Sequence, residues 1–249
     1  MQVVLVQERS TLDPVENRGR LADLVPAGAD IVVLPEAFAR DFGEPGSDLT
    51  SSAEPLDGPF VAEVERVAGL RGTTVVAGMF EETGRTPYNT VVVRGAAHVD
   101  YRKIHLYDSF GYRESDVLEA GPIEPATFDV CGTIVGLITC YDLRFPELAR
   151  RLVDSGAEVL LVPAAWVAGP RKVDHWTTLL RARAIENTVY VVGVGQPPPR
   201  YTGHSMVIDP LGDVLAEGGE ESEILTVDID PTTVAEARRT NPSLANRRL

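Results

Sequence analysis

Nine short runs rich in Val, Ile and Leu recur along the chain. They are QVVLVQ at 2–7, ADIVVLP at 29–35, TTVVAGMF at 73–80, YNTVVVR at 88–94, TIVGLITC at 133–140, AEVLLVPAA at 157–165, VYVVGVG at 189–195, GHSMVIDP at 203–210 and SEILTVDI at 222–229. Gly, Pro or Asp bounds them, which reads as strands. Between them apolar residues take up helical spacing. Residues 58–70 place Phe60, Val61, Val64, Val67 and Ala68 on one face. Residues 146–153 do the same with Leu148, Ala149, Leu152 and Val153. Residues 174–187 set Trp176, Leu179, Leu180 and Ala184 against a side rich in arginine. Strands alternating with helices predict an α/β fold. Because the strands are apolar on both faces, both faces of the sheet should be covered.

The pattern also repeats. The segment 24-LVPAGADIVVLPEAF-38 parallels 152-LVDSGAEVLLVPAAW-166, with Gly28 matching Gly156 and Pro35 matching Pro163. Each is flanked by the same order of elements. Asn89 to Lys103 also spans the same distance as Gly203 to Glu217. This predicts two similar β/α halves, near 1–105 and 130–230, packed as a four-layer α-β-β-α sandwich; one continuous doubly wound sheet is the rival arrangement. No low-complexity linker divides the chain, so 1–249 is read as a single domain. QPPPR and GGEESE read as exposed loops. The polar tail PTTVAEARRTNPSLANRRL is expected to pack over the body or against a partner subunit.

Composition narrows the function. A net charge of -14 argues against a nucleic-acid partner, which needs clustered Lys and Arg. A small anionic substrate stays compatible, since a pocket can oppose the global sign. Two cysteines, Cys131 and Cys140, are too few for a disulfide scaffold and lack neighbours for a metal site. Reduced thiols in the cytoplasm are the simplest reading. MQVVLVQERS lacks a signal-peptide layout, and no apolar run nears the roughly 20 residues that span a bilayer. A soluble cytoplasmic protein without membrane contact is expected.

Cys140 ends a strand-like run just before a helical segment, where a nucleophile would be exposed. A thiol attacks as thiolate and needs a base or a positive neighbour. Of His98, His105, His175 and His204, all remote in sequence, His105 and His175 are the better candidates, so a Cys–His pair stays open but has no specific support. Glu36 follows the strand IVVLP, and Lys103 follows HVDYR. In α/β folds the carboxyl ends of strands line the ligand crevice. Singly, Glu36 and Lys103 read as solvated loop-end charges and Cys140 as core. Together they form a base, a cation and a nucleophile.

LPEAF around Glu36, YRKIHL around Lys103 and CYDLRFPE around Cys140 resemble the three signature segments of the nitrilase superfamily, the carbon–nitrogen hydrolases. YNTVVV, PAAW, HWTTLLRARAIEN and GHSMVIDPLG extend the likeness over nearly the whole chain. It is closest to the branch of small amidases that includes omega-amidase and deaminated glutathione amidase. The resemblance implies the α-β-β-α sandwich, and dimers or larger assemblies. It implies Glu36 as general base, Lys103 as oxyanion-stabilising lysine and Cys140 as nucleophile, with no metal or organic cofactor. Glu114 would be the second glutamate that orients Lys103 or moves protons.

The substrate side is more open. The backbone N–H of Tyr141 is a candidate oxyanion donor. In similar amidases an arginine at the place of Arg144 meets a substrate carboxylate; a salt bridge to Asp142 or Glu147 is the alternative. Trp166 walls the pocket or is plain core, and Arg171 or Lys172 can add charge. Phe110, Gly111 and Tyr112 form a pocket rim or a simple turn. Cys131 is assigned packing only. A small ω-amide of a dicarboxylic acid is the favoured substrate. N-carbamoyl compounds, nitriles, acyl transfer to an amine, and a non-catalytic thiol used for binding or redox sensing are the alternatives.

Overall fold

The repeat read from the sequence folds as two sheets built on one plan. The computed structural model describes residues 1–248. In the first sheet β1 (Gln2–Gln7), β2 (Ile31–Val33) and β3 (Thr74–Glu81) run parallel. The strands β4 (Tyr88–Arg94) and β5 (Val99–Arg102) extend it antiparallel. A small hairpin follows, β6 (Asp108–Ser109) with β7 (Tyr112–Arg113). The second sheet opens with β8 (Thr127–Val130), antiparallel to β9 (Thr133–Leu137). There β9, β10 (Val159–Ala164) and β11 (Tyr190–Gly195) are parallel, and β12 (Met206–Ile208) and β13 (Val214–Glu217) close it antiparallel. The last strand, β14 (Glu223–Asp228), returns to lie antiparallel beside β1. It holds the place there that β8 holds beside β9.

Helices fill the parallel crossovers. The first half uses α1 (Pro14–Leu24) and α2 (Pro59–Arg71), the second α3 (Pro146–Asp154) and α4 (Lys172–Asn187). Proline opens α1, α2 and α3, where its missing N–H costs nothing. Asp13 caps α1 by accepting from the Val15 N–H at 2.8 Å, and Gly72, at φ +65°, ends α2. Alternation along the strands sorts the layers. Val3, Leu5, Ile31, Val33 and Val76 pack with the second half's Leu137, Leu161 and Val192 in one cluster. Val4, Val6, Val32, Val75 and Ala77 turn the other way, onto Leu21, Phe60, Val64 and Val67 of the outer helices. The result is the four-layer α-β-β-α sandwich, not one continuous sheet.

Several elements escape the sequence pattern. Only Asn17 and Leu21 of α1 are buried, so it carries almost no apolar stripe. β13 is largely exposed, and its sequence, VLAE, is too short to stand out as a strand. α4 begins at Lys172, two residues ahead of the expected start. The packing role given to Cys131 is wrong. Cys131 (φ +54°) and Gly132 (φ +78°) form the two-residue turn between β8 and β9, where both central residues need positive φ. Cys131 is exposed there, with its thiol 3.3 Å from Asp30 Oδ1. The QPPPR segment is not a free loop either, since Gln196 is buried and donates to the Glu36 carbonyl at 2.9 Å. The tail packs over the body: α5 (Thr232–Thr240) buries Val234 and Ala237, and Arg247 pairs with Asp154 at 2.6 Å. Among the described residues no helix is long and apolar enough to cross a membrane.

One glycine of β3 positions the site. A Cβ on Gly78 would lie 2.5 Å from the Ala37 nitrogen and 2.8 Å from Glu36 Cα, so the segment after β2 rests directly on bare backbone. We expect Gly78→Ala to destabilise the protein by about 1–3 kcal/mol. The check is a lowered urea midpoint at unchanged m. Gly69→Ala in α2, where a Cβ meets nothing within 4 Å, should leave stability equal or raise it by up to about 1 kcal/mol.

Candidate active site

Glu36 stands just past β2, Lys103 directly after β5, and Cys140 just past β9. All three line one cavity of about 580 Å³, joined by Glu114. Cys140 opens a short 3-10 turn, Cys140–Arg144, and adopts φ +46°; Ala37, next to Glu36, has φ +56°. Such left-handed backbone at non-glycine residues costs on the order of 1–3 kcal/mol and persists only when the surroundings enforce it.

The charges interlock. Lys103 Nζ donates to Glu36 Oε1 at 2.9 Å and to Glu114 Oε1 and Oε2 at 3.0 and 2.8 Å. Asn89 Nδ2 donates to both carboxylates, at 2.7 Å to Glu36 Oε1 and 3.1 Å to Glu114 Oε1. The Tyr107 N–H holds Glu114 Oε2 at 2.6 Å, and the Ala165 N–H holds Glu36 Oε2 at 2.7 Å. The last bond crosses between the halves: Ala165 follows β10, the counterpart of β2. Lys103, Glu36 and Glu114 are all at most 2% exposed. A buried ion pair survives only with such saturation of its hydrogen bonds.

Burial works against the Lys103 ammonium, but Glu114 and Glu36 outweigh it and hold its pKa well above the usual lysine value. Burial raises Glu114, with Lys103 opposing and Glu36 adding to the rise. Burial, then the negative charge of Glu36, pushes the Cys140 thiol well above its ordinary value, while Lys103 pulls it back. The charge of Glu36 thus acts on the thiol inside the cavity that both line. No histidine lines the cavity. His105 is turned to Asp142 at 2.7 Å and stacked on Phe145, and His175 faces Arg144. His98 and His204 face Glu65 and Glu217.

The nucleophile's turn is held by a residue that the sequence reading weighed only as a salt-bridge partner of Arg144. Asp142 is fully buried and accepts from the Thr139 N–H (3.1 Å), the Tyr101 hydroxyl (2.7 Å) and the His105 N–H (2.9 Å). It ties the Cys140 turn to β5 and to the segment after Lys103. The turn's first backbone bond runs from the Asp142 N–H to the Thr139 carbonyl, which leaves the N–H groups of Cys140 and Tyr141 ahead of it.

Of the residues expected at the substrate side, Trp166 walls the cavity, and Phe110 and Tyr112 form its rim on the β6–β7 hairpin. Burial, then Glu114, raises the Tyr112 phenol to about 12. Tyr141 places its ring edge-on to Tyr107, 5.0 Å away, outside the cavity lining. Neither salt bridge considered for Arg144 forms, because Asp142 is committed to the bonds above. Arg144 lies 5.0 Å over the Trp166 ring, with Nη2 3.4 Å from His175 Nδ1 and its buried Nε without a partner. It does not line the cavity; Lys172 does. Arg200 and Tyr201 line it too, held by Asp41 at 3.0 and 2.7 Å. Asn89, an amide inside the Val-rich run YNTVVV, left a signal in the sequence. Asp142 and Arg200 left none, since only folding brings their partners to them. Among the described residues no group of acidic, histidine or cysteine side chains suits a metal ion.

The carbon–nitrogen hydrolase family model matches residues 2–239. A hydrolase of Mycobacterium tuberculosis is 40% identical over 262 residues, covering 96% of this chain and 92% of that protein. Deaminated glutathione amidase of Escherichia coli O157:H7 is 39% identical over 233 residues, covering 92% of this chain and 88% of its own. Among solved structures, a CN-hydrolase superfamily protein of Xanthomonas campestris, with an arsenic adduct in its active site, superposes with a TM-score of 0.90 at 30% identity, covering 100% of this chain and 97% of its own. A branch 10 nitrilase-superfamily member of Saccharomyces cerevisiae gives 0.84 at 26% identity, covering 100% and 97%. The chain therefore belongs to the carbon–nitrogen hydrolase family of the nitrilase superfamily and is a hydrolytic enzyme acting on C–N bonds.

Proposed function

We propose that the protein is a cysteine-dependent amidase that releases ammonia from a small carboxylate-bearing ω-amide through a thioester. The observation that carries this is the meeting of Glu36, Lys103 and Cys140 in one cavity, with Glu36 bonded to the ammonium and its charge felt by the thiol. The name of the 39% identical relative, deaminated glutathione amidase, supports the same reaction class.

Cys140 Sγ attacks the amide carbonyl carbon while its proton passes to Glu36. The C–S bond forms and the carbonyl oxygen takes the negative charge. Lys103 and the Tyr141 N–H stabilise that oxygen; one such donor contributes about 3–4 kcal/mol to lowering the barrier. In the resting site the donors of Lys103 are engaged by the two carboxylates. Once Glu36 is protonated it accepts more weakly, which frees a Lys103 N–H for the oxyanion. Glu36 then gives its proton to the nitrogen, the C–N bond breaks and ammonia leaves. In the second half Glu36 takes a proton from water, whose oxygen attacks the thioester. The C–S bond breaks, the acid departs and the sulfur recovers its proton. Glu114 keeps Lys103 charged and in place throughout.

Ammonia release from a panel of ω-amides, N-carbamoyl compounds and nitriles, with and without an added amine acceptor, tests this reading. Release from the carbamoyl compounds or nitriles alone, or acyl transfer in place of hydrolysis, overturns it. No turnover of any of them would leave a binding or sensing thiol. Cys140→Ala is expected to lower ammonia release by about 10⁴-fold or more while the protein stays folded by circular dichroism.

The proton inventory has its own check. The folded Cys140 pKa is raised, so its thiolate appears only above the ordinary value of 9.0. The difference in ultraviolet thiolate absorbance between wild type and Cys140→Ala should stay flat from neutral pH through 9.0 and rise only beyond it. A thiolate present at neutral pH would contradict general-base activation by Glu36.

Asp142→Asn replaces an acceptor of several buried bonds by a group that is half donor. It should cost about 1–3 kcal/mol of stability and lower kcat with a smaller change in KM. Thermal melts and steady-state kinetics read both.

A further inference from the structure

The chain carries 23 Lys and Arg residues, and only Lys103 and Lys172 are lysines. Both line the same cavity. Everywhere else the sequence uses arginine. Lys103 is neutralised by Glu36 and Glu114. Lys172 is not, although only 8% of it is exposed. Its Nζ donates to the Tyr107 hydroxyl at 2.9 Å and sits 4.0 Å from the Phe110 ring centre and 5.9 Å from that of Trp166. An ammonium has three donors, so donors remain for a ligand. Burial, then the charge of Arg144, draws its pKa down; Cys140 opposes them, and no carboxylate does. The other cation of the cavity wall, Arg200, is already matched by Asp41 and Glu44, at 3.0 and 2.7 Å.

A buried cation without a counter-charge is costly unless something brings the anion. Here the ammonium faces a cavity walled by Phe42, Tyr107, Phe110, Tyr112, Trp166 and Tyr201, with the nucleophile in the same space. It also opens the 16-residue helix α4, whose N-terminal end adds positive potential. We propose that Lys172, rather than Arg144, receives the substrate's carboxylate. The enzyme then selects amides with an anionic far end and an apolar middle, and Arg144 supports the site from behind Trp166 without touching the ligand. This rests on the amidase reading above.

The test compares succinamate and glutaramate with their methyl esters, which keep the amide and lose the charge. For wild type the kcat/KM ratio of acid to ester should be about 100 or more. In Lys172→Met it should collapse to within about 3-fold of unity, while Lys172→Arg retains part of it. A preference that survives Lys172→Met overturns the proposal. A second arm avoids turnover: glutarate is titrated into Cys140→Ala and into the same protein carrying Lys172→Met. Loss of at least about 30-fold in affinity is expected. Equal affinity, or no binding to the parent, refutes the receptor. If no amide is hydrolysed yet glutarate binding depends on Lys172, the amidase reading fails and the receptor stands. If ammonia is released but acid and ester are used alike in both proteins, the reverse holds.

Discussion

The structure turns on one buried ammonium held between two carboxylates. Lys103, Glu36 and Glu114 come from three separate stretches of chain and pair where all three are buried. Removing one partner from such a cluster costs about 3–5 kcal/mol, because it strands a charge. The cluster therefore demands that both halves be docked: Glu36 is completed by the Ala165 N–H from the opposite sheet, and its own carbonyl by Gln196. The face-to-face packing of the sheets and the arrangement of the reactive groups are one constraint seen at two scales.

That constraint also explains why strain is tolerated where it is. Cys140 and Ala37 both hold left-handed backbone at strand ends that approach each other. Asp142 fixes the first turn from below through Tyr101 and His105, and bare Gly78 backbone supports the second. The thiol is thereby presented inside the cavity, where burial and Glu36 push its pKa up, and not on the open surface.

Much of this was legible in the sequence. The short continuous apolar runs and the repeated Gly-to-Pro spacing gave the two halves, since burial of both strand faces leaves a strong hydrophobic record. Glu36, Lys103 and Cys140 were readable because their motifs are local. Glu114 came through resemblance alone and stands beside Lys103. What stayed hidden depends on contacts between distant segments. Asp142 was weighed only as a salt-bridge partner for Arg144, whereas folding surrounds it with donors from other segments. Arg144 looked like a cavity residue, but the wall is completed by Trp166, and Lys172 one turn-like segment later takes that place. Cys131 read as core because an apolar run follows it; only the Cys-Gly hairpin turn explains its exposure.

The pairing of β14 with β1 has a consequence for how the molecule is made. Gln2 and Asp228 touch across 226 positions of sequence. During synthesis one hydrogen-bonding edge of β1 stays bare until β14, residues Glu223–Asp228, has been made. Such long-range closure is slow to form and leaves the nascent chain open to wrong partners. The strand that follows the second sheet thus acts as the latch of the first, and the first sheet is closed only after the second has been made.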